Sequence, residues 1–143
     1  MAFTRWLSEK IGQTVTLPTE MQWQRAAQGD DERGYPWGNE FDPAKCNTSE
    51  SGFKKTTSVD QYPEGASPFG VLDMAGNVRE WCLNEYGDPL NVSGTGEGTR
   101  VLRGGSWSRS YRSARAAFHR GNIPGNRSGA VGFRLVRASV FNK

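Results

Sequence analysis

A chain of 143 residues fits one domain with a single apolar core, and with 35% hydrophobic residues, 18 glycines and 7 prolines it reads as globular but rich in turns. Its net charge of +3 divides unevenly: residues 1–97 hold all 15 acids against 8 Lys and Arg, whereas residues 98–143 hold 10 Lys and Arg and no acid. No apolar run approaches the roughly 20 residues of a membrane span and the first residues lack the apolar segment of a secretory signal, so a cytoplasmic protein with no membrane partner is expected.

Phe3, Trp6, Leu7 and Ile11 fall at helical spacing and predict an amphipathic helix over 2–12, ended at Gly12. Val15 and Leu17 allow a short extended piece. Thr19 with Gln22 spells a capping box, which predicts a second helix running to about Ala27. Residues 29–70, dominated by Gly, Pro, Asp, Ser and Thr, predict long ordered loops. Loops of this length in a compact domain are usually functional or pinned by a metal. A dense signal follows at 70–81, then another turn-rich loop over 84–98. Arg100 to Trp107 alternates toward a strand, and Gly132-Phe133-Arg134-Leu135-Val136 predicts a closing strand. Cys46 and Cys82 can make at most one bridge.

The charge asymmetry has two readings: a nucleic-acid surface, or two halves that fold together and pair their charges. Nine of the ten basic residues after position 97 are Arg, whose planar fork suits buried bidentate pairing, so pairing is the preferred reading over nucleic acid.

Leu17-Pro18-Thr19-Glu20 with Trp23, Tyr35-Pro36-Trp37-Gly38-Asn39, Asp73-Met74-Ala75-Gly76-Asn77-Val78-Arg79-Glu80-Trp81, Arg103-Gly104-Gly105-Ser106-Trp107 and Gly132-Phe133-Arg134 occur in this order. Together they resemble the formylglycine-generating enzyme (sulfatase-modifying factor) family. The resemblance covers nearly the whole chain and implies an α+β, C-type-lectin-like fold: two short N-terminal helices, a small twisted antiparallel sheet and extensive ordered loops. It implies one domain over 1–143, in a shortened member or a fragment, because family domains carry a further N-terminal segment. The enzymes of the family resemble copper-dependent oxidases with two cysteines shortly after the Gly-Gly-Ser motif. Such a soft thiolate pair is what copper(I) requires. Here that segment has no cysteine, and by the resemblance Tyr111 occupies one of the two places. Formylglycine generation and copper binding are therefore not expected. An oxidase with an atypical site is the alternative. His119, the one histidine, cannot build the His-rich site of iron-dependent relatives.

By the same resemblance a structural Ca²⁺ would map onto the side chains of Asp73 and Glu80 with the carbonyls of Gly76 and Val78, a hard-oxygen set. The opposing reading is that Glu80 caps a turn or pairs with an Arg of the basic half. A second family site would map to Asn47, Thr48, Ser51 and Phe53, with Ser51 where an acid is usual.

Residues 108–131 mix small, basic and aromatic side chains without a period of 2 or 3.6, which predicts ordered loop on a sheet scaffold, the usual place for recognition. This stretch resembles the variable proteins of diversity-generating retroelements, whose templates carry Gly-Gly-Ser-Trp, many asparagines, and interleaved Arg, Pro and Gly-Phe-Arg. Arg112, Arg115, Pro124, Arg127 and Gly132-Phe133-Arg134 stand at the fixed places, the arginines expected to brace the fold. Such elements randomise adenines, so an AAC codon becomes any NNC codon. NNC never encodes Lys, Glu, Gln, Met or Trp; these supply 27 of the 143 residues, yet none between 108 and 131. An ordinary family paralogue with an Asn-rich loop is the competing reading. On either, a non-catalytic module is expected to bind a protein ligand through Ser108, Arg109, Ser110, Tyr111, Ser113, Phe118, His119, Arg120, Gly121, Asn122, Ile123, Asn126, Ser128, Gly129 and Ala130. Tyr111 and Phe118 supply anchors at low entropy cost, Ser, Gly and Asn pliable hydrogen bonds, and Arg109 and Arg120 a grip on carboxylate or phosphate.

Overall fold

The computed structural model describes residues 1–137, and the expected domain's last stretch, 138–143, lies outside the described residues. The first helix, α1 (Ala2–Ile11), ends at Gly12, whose left-handed φ of 64° lets its N–H reach the Ser8 carbonyl. The apolar stripe foreseen for α1 is not core: Phe3, Trp6 and Ile11 stay about half exposed, and only Thr4 is buried. The helix rests on the two-stranded sheet of β1 (Val15–Thr16) and β6 (Val136–Arg137), which is too small to cover the stripe. The Phe3 ring instead leans on Trp6 and on Phe133, each 5.7 Å between centroids.

The second helix, α2 (Glu20–Gln28), begins with the foreseen capping box: the Gln22 N–H donates to Thr19 Oγ1, and the Thr19 N–H donates to Gln22 Oε1 at 2.8 Å. Asn84 Oδ1 accepts a further orphan donor, the Glu20 N–H, at 2.6 Å. Trp23 and Ala27 are thereby held against Met74, Cys82, Val101 and Ala116 in one apolar cluster. A second cluster gathers Tyr35, Cys46, Ala75 and Ala114, with Trp37, Phe41 and Tyr111 against it.

The main sheet runs β4-β3-β2-β5: β2 (Arg79–Glu85), β3 (Arg100–Arg103) and β4 (His119–Asn122) are antiparallel, and β5 (Val131–Gly132) is parallel to β2. Strand β4 corrects the reading of 108–131 as loop throughout. Its sequence, His-Arg-Gly-Asn, has no apolar alternation, and it is held by backbone pairing to β3 across four register positions, Arg100↔Asn122 to Arg103↔His119. The closing strand expected over 132–136 is also divided. Val131–Gly132 pairs in the main sheet and Val136–Arg137 in the small one, with Phe133–Leu135 crossing between them.

The loops of 29–70 hold three short 3-10 turns, Pro43–Lys45, Ser49–Ser51 and Pro63–Gly65. Two buried asparagines stitch them to the sheet. The Asn47 amide donates to the Lys55 carbonyl at 2.9 Å, its own carbonyl accepts the Asn77 N–H at 2.7 Å, and Asn77 Oδ1 accepts the Thr57 N–H. Gly76 is required at this crossing, since a Cβ there would stand 2.4 Å from the Asn47 carbonyl oxygen and its φ is +85°.

Candidate functional site

The Gly104-Gly105-Ser106 segment after β3 is a buried frame that ends in the half-buried Trp107. Gly105 (φ +72°) has no room for a Cβ, which would meet the Ala114 backbone at 2.9 Å, and Ser106 is fully buried. Trp107 is pinned at both ends: its backbone N–H donates to the Asn77 carbonyl at 2.9 Å, and its indole N–H to the Gly129 carbonyl at 3.2 Å. The Arg79 N–H donates to the Ala130 carbonyl at 3.0 Å. Both ends of the 108–130 segment are thus fastened to the Asn77–Arg79 stretch.

Between those fastenings the candidate residues separate. Ser108, Arg109, Ser110, Phe118, His119, Arg120, Ile123, Asn126, Ser128 and Gly129 are exposed, Phe118 at 39% and Ile123 at 60%. Tyr111 is half-buried: its ring packs 5.2 Å from Phe41, and its carbonyl accepts the Tyr35 hydroxyl. Ala130 is buried at 5% exposure, so it belongs to the frame and not to the surface. Gly121 is wedged against Thr99 and Tyr86, where a Cβ would come within 2.5 Å and 2.8 Å. Ser113 folds back onto the Ser110 carbonyl, and Asn122 accepts the Ile123 N–H. His119 Nδ1 lies 2.6 Å from Glu20 Oε1, on the α2 side of the sheet. Strand alternation therefore sends the neighbouring Arg120 to the opposite side.

Two arginines after position 97 pair with the acidic half, as the preferred reading of the charge asymmetry has it. Arg103, 1% exposed, reaches Glu20 at 2.9 Å, Gln24 and two carbonyls, with its guanidinium over the Trp23 ring. Arg134 grips both oxygens of Glu80, at 2.5 Å and 2.9 Å. The bracing foreseen for Arg112, Arg115 and Arg127 is not of this kind: Arg112 lies over Tyr111, Arg115 over Tyr35, and all three are exposed.

Both carboxylates of the oxygen set foreseen for Ca²⁺ are engaged in protein contacts. Glu80 Oε2 also accepts the Trp23 indole N–H at 2.7 Å, so its carboxylate is satisfied by Trp23 and Arg134, the opposing reading of this residue. Asp73 accepts the Asn77 amide at 2.7 Å, and burial pushes its carboxyl up to about 6. A cation shell on Asp73, Gly76, Val78 and Glu80 does not fit this arrangement without displacing Arg134. At the second foreseen set, Asn47 Oδ1 is taken by the Ser51 hydroxyl at 2.8 Å and Phe53 is exposed.

Both cysteines are free, each in a different apolar cluster, and burial pushes each thiol up to about 12. No described helix is long and apolar enough to cross a membrane. The signal that sequence reasoning missed is Arg79, buried in β2 beside the fastened ends of the segment. The clue available was its place beside Glu80 at the start of a strand, where alternation sends the two charges to opposite faces.

The architecture, two short helices and curled small sheets carrying long ordered loops, is that of a C-type-lectin-like domain of the formylglycine-generating type. The chain belongs to the sulfatase-modifying factor enzyme 1-like domain family, which it matches over residues 1–139. It is 36% identical to a formylglycine-generating enzyme of Streptomyces coelicolor, over 94% of this chain and 48% of that protein. It is 35% identical to the inactive C-alpha-formylglycine-generating enzyme 2 of Bos taurus, over 84% of this chain and 43% of that one. Among solved structures it resembles variable protein 1 of Treponema denticola, with a TM-score of 0.76 and 29% identity over 86% of this chain and 47% of that one. The chain spans between about a fifth and a half of the length of the curated relatives it matches.

Proposed function

We propose that this chain is a non-catalytic binding module of the family, displaying the exposed positions of residues 108–130 toward a protein partner, as a diversity-generating retroelement variable protein does. The observation that carries the reading is the separation of frame from surface. Arg103, Gly104, Gly105, Ser106, Ala114 and Ala116 are buried, whereas ten of the fifteen candidate positions are exposed, and nine of these, all but the Glu20-bonded His119, are free to change without touching the core. The likeness to a variable protein supports it, as does the lack of cysteine from 108 to 131. The remaining two thiols are buried and protonated at neutral pH, which suits them poorly to ligate a soft metal or attack a substrate.

Neighbouring DNA tests the proposal. The expected finding is a near-copy of the codons for 101–136 that differs only at adenines, beside a reverse transcriptase gene. An intact locus with neither overturns the retroelement assignment. Copper binding with oxygen consumption on a cysteine-containing peptide overturns the non-catalytic one.

A further inference from the structure

Arg79 is 8% exposed, and its Nε has no hydrogen-bond partner. The other buried arginines are met at their terminal nitrogens, Arg103 by Glu20, Gln24 and two carbonyls although its Nε too is unpartnered, and Arg100 by the Leu83 and Thr95 carbonyls, whereas the Arg79 side chain has no hydrogen bond among the described residues. None of the ion pairs among the described residues includes Arg79, Arg109 or Arg120. The backbone fixes where Arg79 stands. Its N–H is bonded to the Ala130 carbonyl, and Asn77, two residues before it, holds Trp107 at the opening of the segment. Arg79 alternates with Glu80, which points to Trp23 and α2, so Arg79 faces the other side of the sheet. Arg120 shares that side: it is in register with Leu102, which is in register with Trp81, two residues from Arg79. The proton affinity of the Arg79 guanidinium is lowered by burial first, then by the positive charges of Arg120 and Arg109. Three cations thus act on one another, one from the scaffold and two from candidate display positions, and no acid among the described residues forms an ion pair with any of them.

We infer that Arg79 is the floor of an anion seat, open between Arg109 and Arg120, that takes a carboxylate of an acidic protein partner. The inference rests on the display reading above and adds the chemistry of the ligand. A planar guanidinium offers paired N–H donors that match the two oxygens of a carboxylate. A partner's Asp or Glu supplies that match and neutralises a cluster which otherwise opposes itself. The seat also divides the labour of recognition: Arg109 and Arg120 stand at exchangeable positions, while Arg79 stands in the frame.

The test uses the whole chain, ¹⁵N-labelled, with the arginine Nε–H signals followed by NMR. Sodium acetate, titrated against sodium chloride at constant ionic strength, is expected to move the Arg79 signal saturably where chloride does not. A hexaglutamate peptide is expected to bind the native chain. Arg79→Met is expected to weaken that binding by about tenfold or more, with an unchanged or raised Tm because an uncompensated buried charge is gone. Arg79→Lys, which keeps the charge without the fork, is expected to fold and still lose affinity. Equal responses to acetate and chloride, or undiminished hexaglutamate binding by Arg79→Met, overturn the seat. Tighter binding of inorganic phosphate or of a short single-stranded DNA than of the carboxylates overturns the assignment to acidic protein. Should Arg79→Met not fold, the acetate titration of the native chain and the Lys variant still decide. A partner bound through Phe118 and Ile123 that ignores Arg79→Met sinks the seat and spares the display reading. Arg79-dependent hexaglutamate binding by a chain whose exposed positions recognise no protein does the reverse.

Discussion

At the scale of single residues, the fate of a charge depends on what meets it on burial. Glu80, 6% exposed, is met by Arg134 and the Trp23 indole, and the three groups tie β2, α2 and the Phe133–Leu135 crossing together. Removing one member strands the other, and that cost exceeds the net worth of the pair. Arg134→Met is expected to lower unfolding stability by about 3 kcal/mol or more in urea denaturation; a loss below about 1 kcal/mol would place Glu80 in contact with water or another cation. The cysteines sit in the two apolar clusters, with the Asp42 carbonyl beside the Cys46 thiol. With both thiols pushed up to about 12 by burial, iodoacetamide at about pH 8 is expected to leave both unmodified in the native chain and to alkylate both after denaturation. Rapid labelling of either in the folded chain would refute its burial.

At the scale of elements, local chemistry decides some and tertiary pairing the rest. Helix α2 was legible because Thr19 and Gln22 are a capping device readable at a spacing of three. Thr19→Ala is expected to cost about 1 kcal/mol by thermal or chemical unfolding, and a change within noise would mean that the Asn84 contact alone starts the helix. Helix α1 was equally legible as a helix, yet its stripe misled about burial: Phe3, Trp6 and Ile11 show the right period and stay about half exposed. Period reports which residues share a face and not what covers it. Strand β4 was not legible, because His119-Arg120-Gly121-Asn122 is placed by β3 and carries no pattern of its own. Among candidate positions the same limit applies. Tyr111 and Ala130 read as surface from composition, but Phe41 and the β2 backbone claim them.

At the scale of the whole molecule, the basic half divides in two. Arg103 and Arg134 close onto the acidic half, while Arg109 and Arg120 remain exposed. The frame of Gly104, Gly105, Ser106 and Trp107 carries the structure of this region, so the exposed side chains are released from structural duty. The most direct measurement randomises the codons for Ser108, Arg109, Ser110, Phe118, Arg120, Ile123, Asn126, Ser128 and Gly129 together, scores folding by thermal unfolding, and selects the folded pool against unrelated protein baits. Most clones are expected to keep the parental Tm, and each bait to enrich a different set of sequences. Widespread unfolding, or no enrichment on any bait from a well-folded pool, would refute the separation of frame from surface.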